Sequence, residues 1–208
     1  MMNEILGNLG EFKLDVLKEI GNIGAGNAAT ALSTLLNRPI DMSVPQVELL
    51  PFESVADAVG GAEQVVVAIY FRVDGDAPGH LFFMIECEPA KQLLSQLMNV
   101  QSQEAYSFTD IETSALCEIG NILCGSYLSS LADFTRLFMS PTVPQLAIDM
   151  AGAVLNYGLI QYGQMGDSAL LIDTKFLGGS EEIQGTFFFI PDPESYVKIF
   201  AALGVPVE

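Results

Sequence analysis

Positive charge is scarce in this chain: 8 Lys and Arg stand against 26 Asp and Glu among 208 residues, a formal net charge of −18. Neutralising a nucleic-acid backbone takes clustered Lys and Arg, and adhesion to an anionic bilayer takes the same. Neither nucleic acid nor a lipid surface is therefore an expected partner. Histidine is scarcer still. His80 is the single one and sits in the apolar run GHLFFMIE, so a Ser-His-Asp or Cys-His machine would have to run through it. A His-rich metal site is ruled out, and His80 itself is given no role. Tryptophan is missing. The three cysteines, Cys87, Cys117 and Cys124, form no CxxC, and the last two lie two turns apart on one helical face, as buried free thiols do. That usage fits a reducing cytosol.

A signal-peptide pattern is also lacking, because MMNEILGNLGEFKLDVLKE has no basic segment followed by an apolar core. The charge-free stretch 150–166 is broken by Asn, Gln and Gly and is too short to span a bilayer. These absences predict a soluble, cytoplasmic protein.

What is present is apolar bulk. Half the residues are hydrophobic and 16% are charged, too apolar for a disordered acidic chain. At this length a fold buries about 70% of the surface its unfolded chain exposes. One domain, or two small halves packed together, is the natural organisation.

The chain repeats itself. Leu17-Lys-Glu-Ile-Gly-Asn-Ile23 returns as Leu116-Cys-Glu-Ile-Gly-Asn-Ile122, and an ungapped alignment of 15–46 with 114–145 keeps eleven identities in thirty-two positions. Average residue usage would give about two. Gly79-His-Leu-Phe-Phe-Met-Ile is echoed more loosely by Gly185-Thr-Phe-Phe-Phe-Ile, with the offset grown from 99 to 106. The second copy thus carries about seven extra residues in its middle. The repeats run over about 12–98 and 110–203, together forming a single 1–208 domain.

Periodicity predicts long helices over 12–36 and 110–136, the second opened by a capping box, Thr109-Asp-Ile-Glu112. Strand-like runs follow at 45–50, 65–71 and 81–85, the last two joined through a turn at 74–79. In the second half the matching runs lie at 143–149, 153–155, 169–172 and 186–190. Short helices beginning at Pro89 and Pro193 close the halves, at 89–98 and 193–203. The expected fold is α+β: an α-β-β-β-α unit, duplicated with pseudo-two-fold symmetry, with a largely antiparallel sheet and two long helices carrying the repeated motif.

At about 100° per residue, Asp15, Glu19, Asn22 and Gly26 form one narrow stripe on the first helix. Leu17, Ile20, Gly24, Ala28 and Ala31 lie opposite. On the second helix Ser114, Glu118, Asn121 and Gly125 face one way, and Leu116, Ile119, Leu123 and Tyr127 the other. The apolar side belongs in the core, so the polar stripe points at water or at a partner. A solvated stripe has no need of particular residues. Yet the Glu/Asn pair persists in both copies while Lys18/Cys117, Gly24/Leu123 and Asn27/Ser126 have drifted apart. Gly26 and Gly125 each weaken a helix by about 1 kcal/mol relative to Ala and leave room for a partner's backbone. Gly21 and Gly120, off the stripe, suit helix packing.

A Glu and an Asn one helical turn apart include no nucleophile. An amide can hold water through one donor and one acceptor, and a carboxylate can hold a partner's lysine. Such a pair suits a protein that enters another's active site and positions water for in-line attack, as pure positioning suffices for phosphoryl transfer.

The pattern (Asp/Ser)-x3-Glu-x2-Asn-x22-Pro fits Asp15, Glu19, Asn22 and Pro45, and again Ser114, Glu118, Asn121 and Pro144. The chain resembles, over nearly its whole length, the CheC/CheX/FliY family of bacterial chemotaxis phosphatases. The resemblance implies hydrolysis of the aspartyl phosphate on the response regulator CheY. It further implies that Glu19 and Glu118 meet the regulator's lysine while Asn22 and Asn121 orient the attacking water. Asp15, Pro45, Ser114 and Pro144, with Gly26 and Gly125, are supporting positions. No cofactor of its own is implied; Mg²⁺ belongs in the regulator's pocket. The receptor deamidase CheD is the second implied partner, and the chain is expected to be a monomer.

Two other readings compete. Gly24-Ala-Gly-Asn-Ala-Ala29 matches the dinucleotide fingerprint GxGxxA, but that motif needs a preceding strand and a helix starting at its glycines, whereas here they fall inside a helical pattern. The alternative within the family is a non-catalytic module that binds phosphorylated CheY or CheD, related to flagellar switch proteins. The doubled Glu/Asn pair weighs against it.

Overall fold

The computed structural model describes residues 11–98, 106–162, 168–177 and 182–204. Helix α1 spans Glu11–Leu36 and is followed by strands β1, Asp41–Ser43, and β2, Val47–Pro51. Two short 3-10 turns, Phe52–Ser54 and Asp57–Val59, lead to a long hairpin of β3, Val65–Gly75, and β4, Gly79–Glu86, and to helix α2, Cys87–Met98. The second half repeats the order with α3, Asp110–Thr135, β5, Met139–Pro141, and β6, Gln145–Met150. Helix α4, Ala151–Tyr162, then precedes β7, Ser168–Leu177, β8, Glu182–Pro191, and α5, Pro193–Ala202.

Both long helices form where the periodicity placed them. At α3 the capping box is complete: the Glu112 N–H donates to Thr109 Oγ1 at 3.3 Å, and the Thr109 N–H donates to Glu112 Oε2 at 2.7 Å. Burial pushes the Glu112 carboxyl up, but these bonds and Lys91, 3.0 Å away, outweigh it and hold the group below its ordinary value. The run 153–155, expected as a strand, is instead the first turns of α4. Ala151, Val154 and Leu155 are buried at helical spacing against one sheet face. This helix stands where the first half has its two 3-10 turns, which accounts for the lengthened middle of the second copy.

One antiparallel sheet runs in the order β1-β7-β8-β4-β3-β5, with β2 also on β7 and β6 also on β3. The halves exchange strands: β1 and β2 of the first half pair with β7 of the second, and β5 and β6 of the second pair with β3 of the first. The centre of the sheet is β4 against β8, with Phe82 opposite Phe188 and Phe83 opposite Phe187. The pairing scheme is therefore symmetric about that seam.

Alternation along the strands divides the core into two layers. Val67, Ile69, Phe71, Leu81, Phe83, Phe187 and Phe189 face the long helices, whereas Val66, Ala68, Tyr70, Phe82, Phe188 and Ile190 face the 3-10 turns and α4. Helices α1 and α3 cross where Gly24 admits Tyr127; a Cβ on Gly24 would stand 2.8 Å from the Tyr127 ring and 3.1 Å from its Cα. Gly120 sits as tightly on Ile69, at 2.8 Å, while Gly21 meets Val44 only in ordinary contact. Leu17, Ile20, Gly24 and Ala28 are buried as expected, but Ala31 is exposed and Ala29 and Leu32 are buried in its stead. Beyond the crossing α1 rests on β1, which turns its covered side. Cys87 and Cys124 are buried and Cys117 half-buried, all as free thiols. Burial pushes all three up, the Cys124 thiol furthest.

Candidate active site

The stripes emerge on the outer side of the helix pair. Asp15, Glu19 and Gly26 of α1 are exposed, as are Ser114, Glu118 and Asn121 of α3. Gly26 and Gly125 have open space where a Cβ would stand, with nothing within 4 Å. The 3.6-residue repeat sets Glu19 beside Asn22, and Glu118 beside Asn121, with about 5–6 Å between Cβ atoms.

The two asparagines differ. Asn22 is half-buried, and its amide is engaged: Oδ1 accepts from the Val44 N–H at 2.9 Å, while Nδ2 donates to Lys18 O at 3.1 Å and reaches Val44 O at 3.4 Å. An extended residue turns its N–H and C=O to the same side, and a residue before proline is held extended. Val44, fixed by Pro45, therefore offers both groups to one amide. In this copy the twenty-two residues between Asn22 and Pro45 thus bring the extended residue before the proline onto the amide. The polar stripe is expected to point at water or at a partner; Asn22 instead turns its amide inward onto Val44.

The second copy is arranged otherwise. Val143 occupies the place of Val44, yet Val44 is 1% exposed and Val143 81%. Thr142, just before it, is tied to the sheet: its N–H donates to Arg72 O at 2.8 Å, and its Oγ1 accepts from the Arg72 N–H at 3.1 Å. Among the described residues no hydrogen bond engages the Asn121 side chain, and its amide faces solvent beside Glu118. Pro45 is exposed and Pro144 half-buried.

Arg72 also anchors a cluster that sequence reasoning missed. Its guanidinium forms a two-point pair with Asp192, at 2.8 and 2.5 Å, and its Nη1 lies 2.8 Å from His80 Nε2. Guanidinium only donates, so Nε2 accepts and the imidazole carries its proton on Nδ1, 3.0 Å from the Tyr70 hydroxyl. Burial first, and then the Arg72 charge, lower the His80 pKa to about 4, with Asp192 opposing. The fully buried His80 is thus a neutral brace joining β3 and β4 to the start of α5. Its partners lie 8 and 10 positions away across the hairpin, and strand register was the one signal that could have found them.

Among the described residues no helix is long and apolar enough to cross a membrane, and no three His, Cys, Asp or Glu side chains converge to hold a metal ion. The glycines of the dinucleotide-like run lie well inside helix α1, which begins at Glu11 and not at the glycines as the fingerprint requires, and this removes that reading.

Comparison with known proteins agrees with the repeat. The CheC-like family matches residues 12–49 and 111–148, the two segments that carry the stripes. The chain is 41% identical over 204 residues to a Bacillus subtilis protein named CheY-P phosphatase CheC, covering 96% of this chain and 98% of that one. A flagellar motor switch phosphatase, FliY of Bacillus subtilis, is 32% identical over 60% of this chain and 32% of its own length. Among solved structures, Thermotoga maritima FliY superposes with a TM-score of 0.71 at 19% identity, covering 94% of this chain and 98% of that one. Helicobacter pylori FliM, from its complex with SpeE, gives 0.68 at 14% identity, covering 94% and 96%. At those identities the two structures speak for the fold alone.

Proposed function

Because this chain belongs to the CheC-like family, we propose that it is a hydrolase that removes the aspartyl phosphate from the chemotaxis response regulator CheY, terminating the signal. The observation that carries the reading is the doubled Glu/Asn pair on exposed helix faces, in a chain 41% identical to a named CheY-P phosphatase.

The proposed mechanism is insertion. Glu118 or Glu19 meets the lysine of the regulator's pocket in a charge-assisted contact, which sets the register of the helix on that pocket. One turn further, Asn121 or Asn22 offers an acceptor and a donor, enough to fix a water in line with the scissile P–O bond. Water attacks phosphorus, the aspartate oxygen leaves, and inorganic phosphate is released. Mg²⁺ held by the regulator would neutralise charge on the phosphoryl oxygens; this chain's own residues bind and orient. Gly26 and Gly125 leave the space above each pair open to the partner's loops. With a net charge of −18 facing an acidic pocket, long-range attraction adds nothing to the encounter. Added salt therefore weakens this association less than that of an oppositely charged pair. The deamidase CheD as second partner and the monomeric state rest on the family resemblance.

The deciding experiment follows phosphate release from purified phosphorylated CheY with the protein and its Asn22→Ala, Asn121→Ala and double variants. Both sites working predicts partial loss in each single variant and loss of at least about 100-fold in the double. Tight binding of phosphorylated CheY without faster release would establish the non-catalytic module instead.

A further inference from the structure

We propose that the first repeat carries a separate binding site for an oxyanion, a carboxylate or phosphate group held by Arg38 in the groove at the end of α1. Arg38 is the residue that points to a ligand. Its Nε and Nη2 are buried and have no hydrogen-bond partner, and a guanidinium keeps its charge at any ordinary pH. Both donors share one edge of the guanidinium, the fork that meets two oxygens of a carboxylate or a phosphate. Acid is not in short supply, with 26 Asp and Glu against 8 Lys and Arg. Arg72, Lys91 and Lys175 each hold a carboxylate, those of Asp192, Glu112 and Glu182. A charged fork left out of such pairing weakens the fold, and an anion that fills it relieves that cost.

The surroundings leave the binding to that fork. Arg38 borders an open groove of about 610 Å³ together with Gly26, Thr30, Ser33, Thr34 and Asp41, within the range of ligand sites, about 300–1,000 Å³. Arg38 is the sole cation lining it. The hydroxyls turn their hydrogens inward, Thr30 to Gly26 O, Thr34 to Thr30 O and Ser33 to Ile40 O. Asp41 Oδ1 accepts from the Met42 N–H at 2.9 Å, and the C-terminal end of α1 disfavours negative charge. Arg38 therefore carries the affinity, turning its fork into the groove about its outer torsions to meet the ligand. A net charge of −18 repels anions at long range, so affinity on the order of 1 mM is expected. The site lies about 20 Å from Asn22 along α1 and fills without displacing anything at the Glu/Asn pair. At an offset of 99 the counterpart of Arg38 is Leu137, packed against the core, so the second repeat lacks this cation.

The probes are inorganic phosphate and malonate, each titrated into the full chain by calorimetry and in thermal melts, with sodium chloride at matched ionic strength as the reference. The comparison is between the unmutated chain, Arg38→Gln, Arg38→Lys and Arg136→Gln, an exposed arginine just past α3. Phosphate, malonate or both should bind the unmutated chain with a Kd of at most about 5 mM and, at about 20 mM, raise its melting midpoint by at least about 2 °C over chloride. The tighter of the two identifies the group the groove prefers. Arg38→Gln should bind at least about tenfold more weakly, and Arg38→Lys, charged but without the fork, at least about threefold more weakly. Arg136→Gln should bind as the unmutated chain does. In chloride alone Arg38→Gln should melt no lower than the unmutated chain, since no bond of the fold is lost with the guanidinium. No binding of either probe beyond the chloride reference, undiminished binding by Arg38→Gln or Arg38→Lys, or an equal loss from Arg136→Gln overturns the proposal. If Arg38→Gln does not fold, Arg38→Lys decides alone.

Discussion

The Asn22 side chain grips both polar groups of the Val44 backbone, accepting from its N–H at 2.9 Å and reaching its carbonyl at 3.4 Å. One amide thereby fastens helix α1 to the segment between β1 and β2. Asn121, its counterpart, makes no such bond. Removing Asn22 leaves a buried backbone N–H without its partner, which costs ~1–3 kcal/mol. Asn22→Ala is therefore expected to lower the midpoint of urea unfolding, and Asn121→Ala to stay within about 0.5 kcal/mol of the unmutated protein. Equal destabilisation by the two would mean that the latch contributes nothing.

The open space over Gly26 and Gly125 separates stability from activity. Neither glycine has an atom within 4 Å of an added Cβ, so alanine restores helix propensity without a clash. Gly125→Ala should raise stability by about 0.5–1 kcal/mol. The bulkier Gly125→Leu should fold as well and yet slow phosphate release, because it fills the space a partner enters. A Leu variant that folds and works at full rate shows that nothing approaches there.

At the helix crossing the opposite holds. Gly24→Leu puts a side chain into the Tyr127 ring, already 2.8 Å from a mere Cβ, and should destabilise by ~1–3 kcal/mol. Adding Tyr127→Ala removes the ring, leaving only the backbone contact at 3.1 Å, and the double variant should be more stable than the sum of the singles. A double-mutant cycle reads this coupling directly; simple additivity would show that the helices yield at this point.

His80 gives the fold a component of acid sensitivity. Its pKa falls from 6.5 to about 4 on folding, by burial and then by Arg72. Between those values the unfolded chain binds a proton that the folded chain refuses. This contribution is complete above about pH 6.5 and is lost as the pH drops towards 4. His80→Asn, which does not titrate, should show a shallower fall in stability between pH 7 and 5 than the unmutated protein. Parallel curves would assign the acid loss wholly to carboxylates.

Much of this was legible in the sequence, for local reasons. The long helices announce themselves through periodicity and the Thr109/Glu112 box, and the stripes follow from 3.6 residues per turn. The strand runs at 65–71 and 81–85 could be read because β-branched and aromatic residues crowd between turn signals. Four features could not. The strands 41–43 and 139–141 are too short to carry a pattern. The run 153–155 is apolar without period, so its neighbours in space, not its own residues, make it helical. The grip of Asn22 on Val44 was visible only as a spacing, since twenty-two residues in sequence say nothing of 2.9 Å in space. The His80 brace is hidden for the same reason, with Arg72 and Asp192 separated by 120 positions.

The exchange of strands between the halves also sets a timetable. Val47 of β2 pairs with Ile172 of β7, so a chain emerging from the ribosome at about 5–20 residues per second holds its first half unfinished for several seconds. During that interval β1 and β2 lack their eventual neighbour, and β3 presents the edge later taken by β5 and β6. Newly made chains are open to mispairing with one another until the last strands arrive, and a fragment ending after the first repeat would carry that unfilled edge permanently.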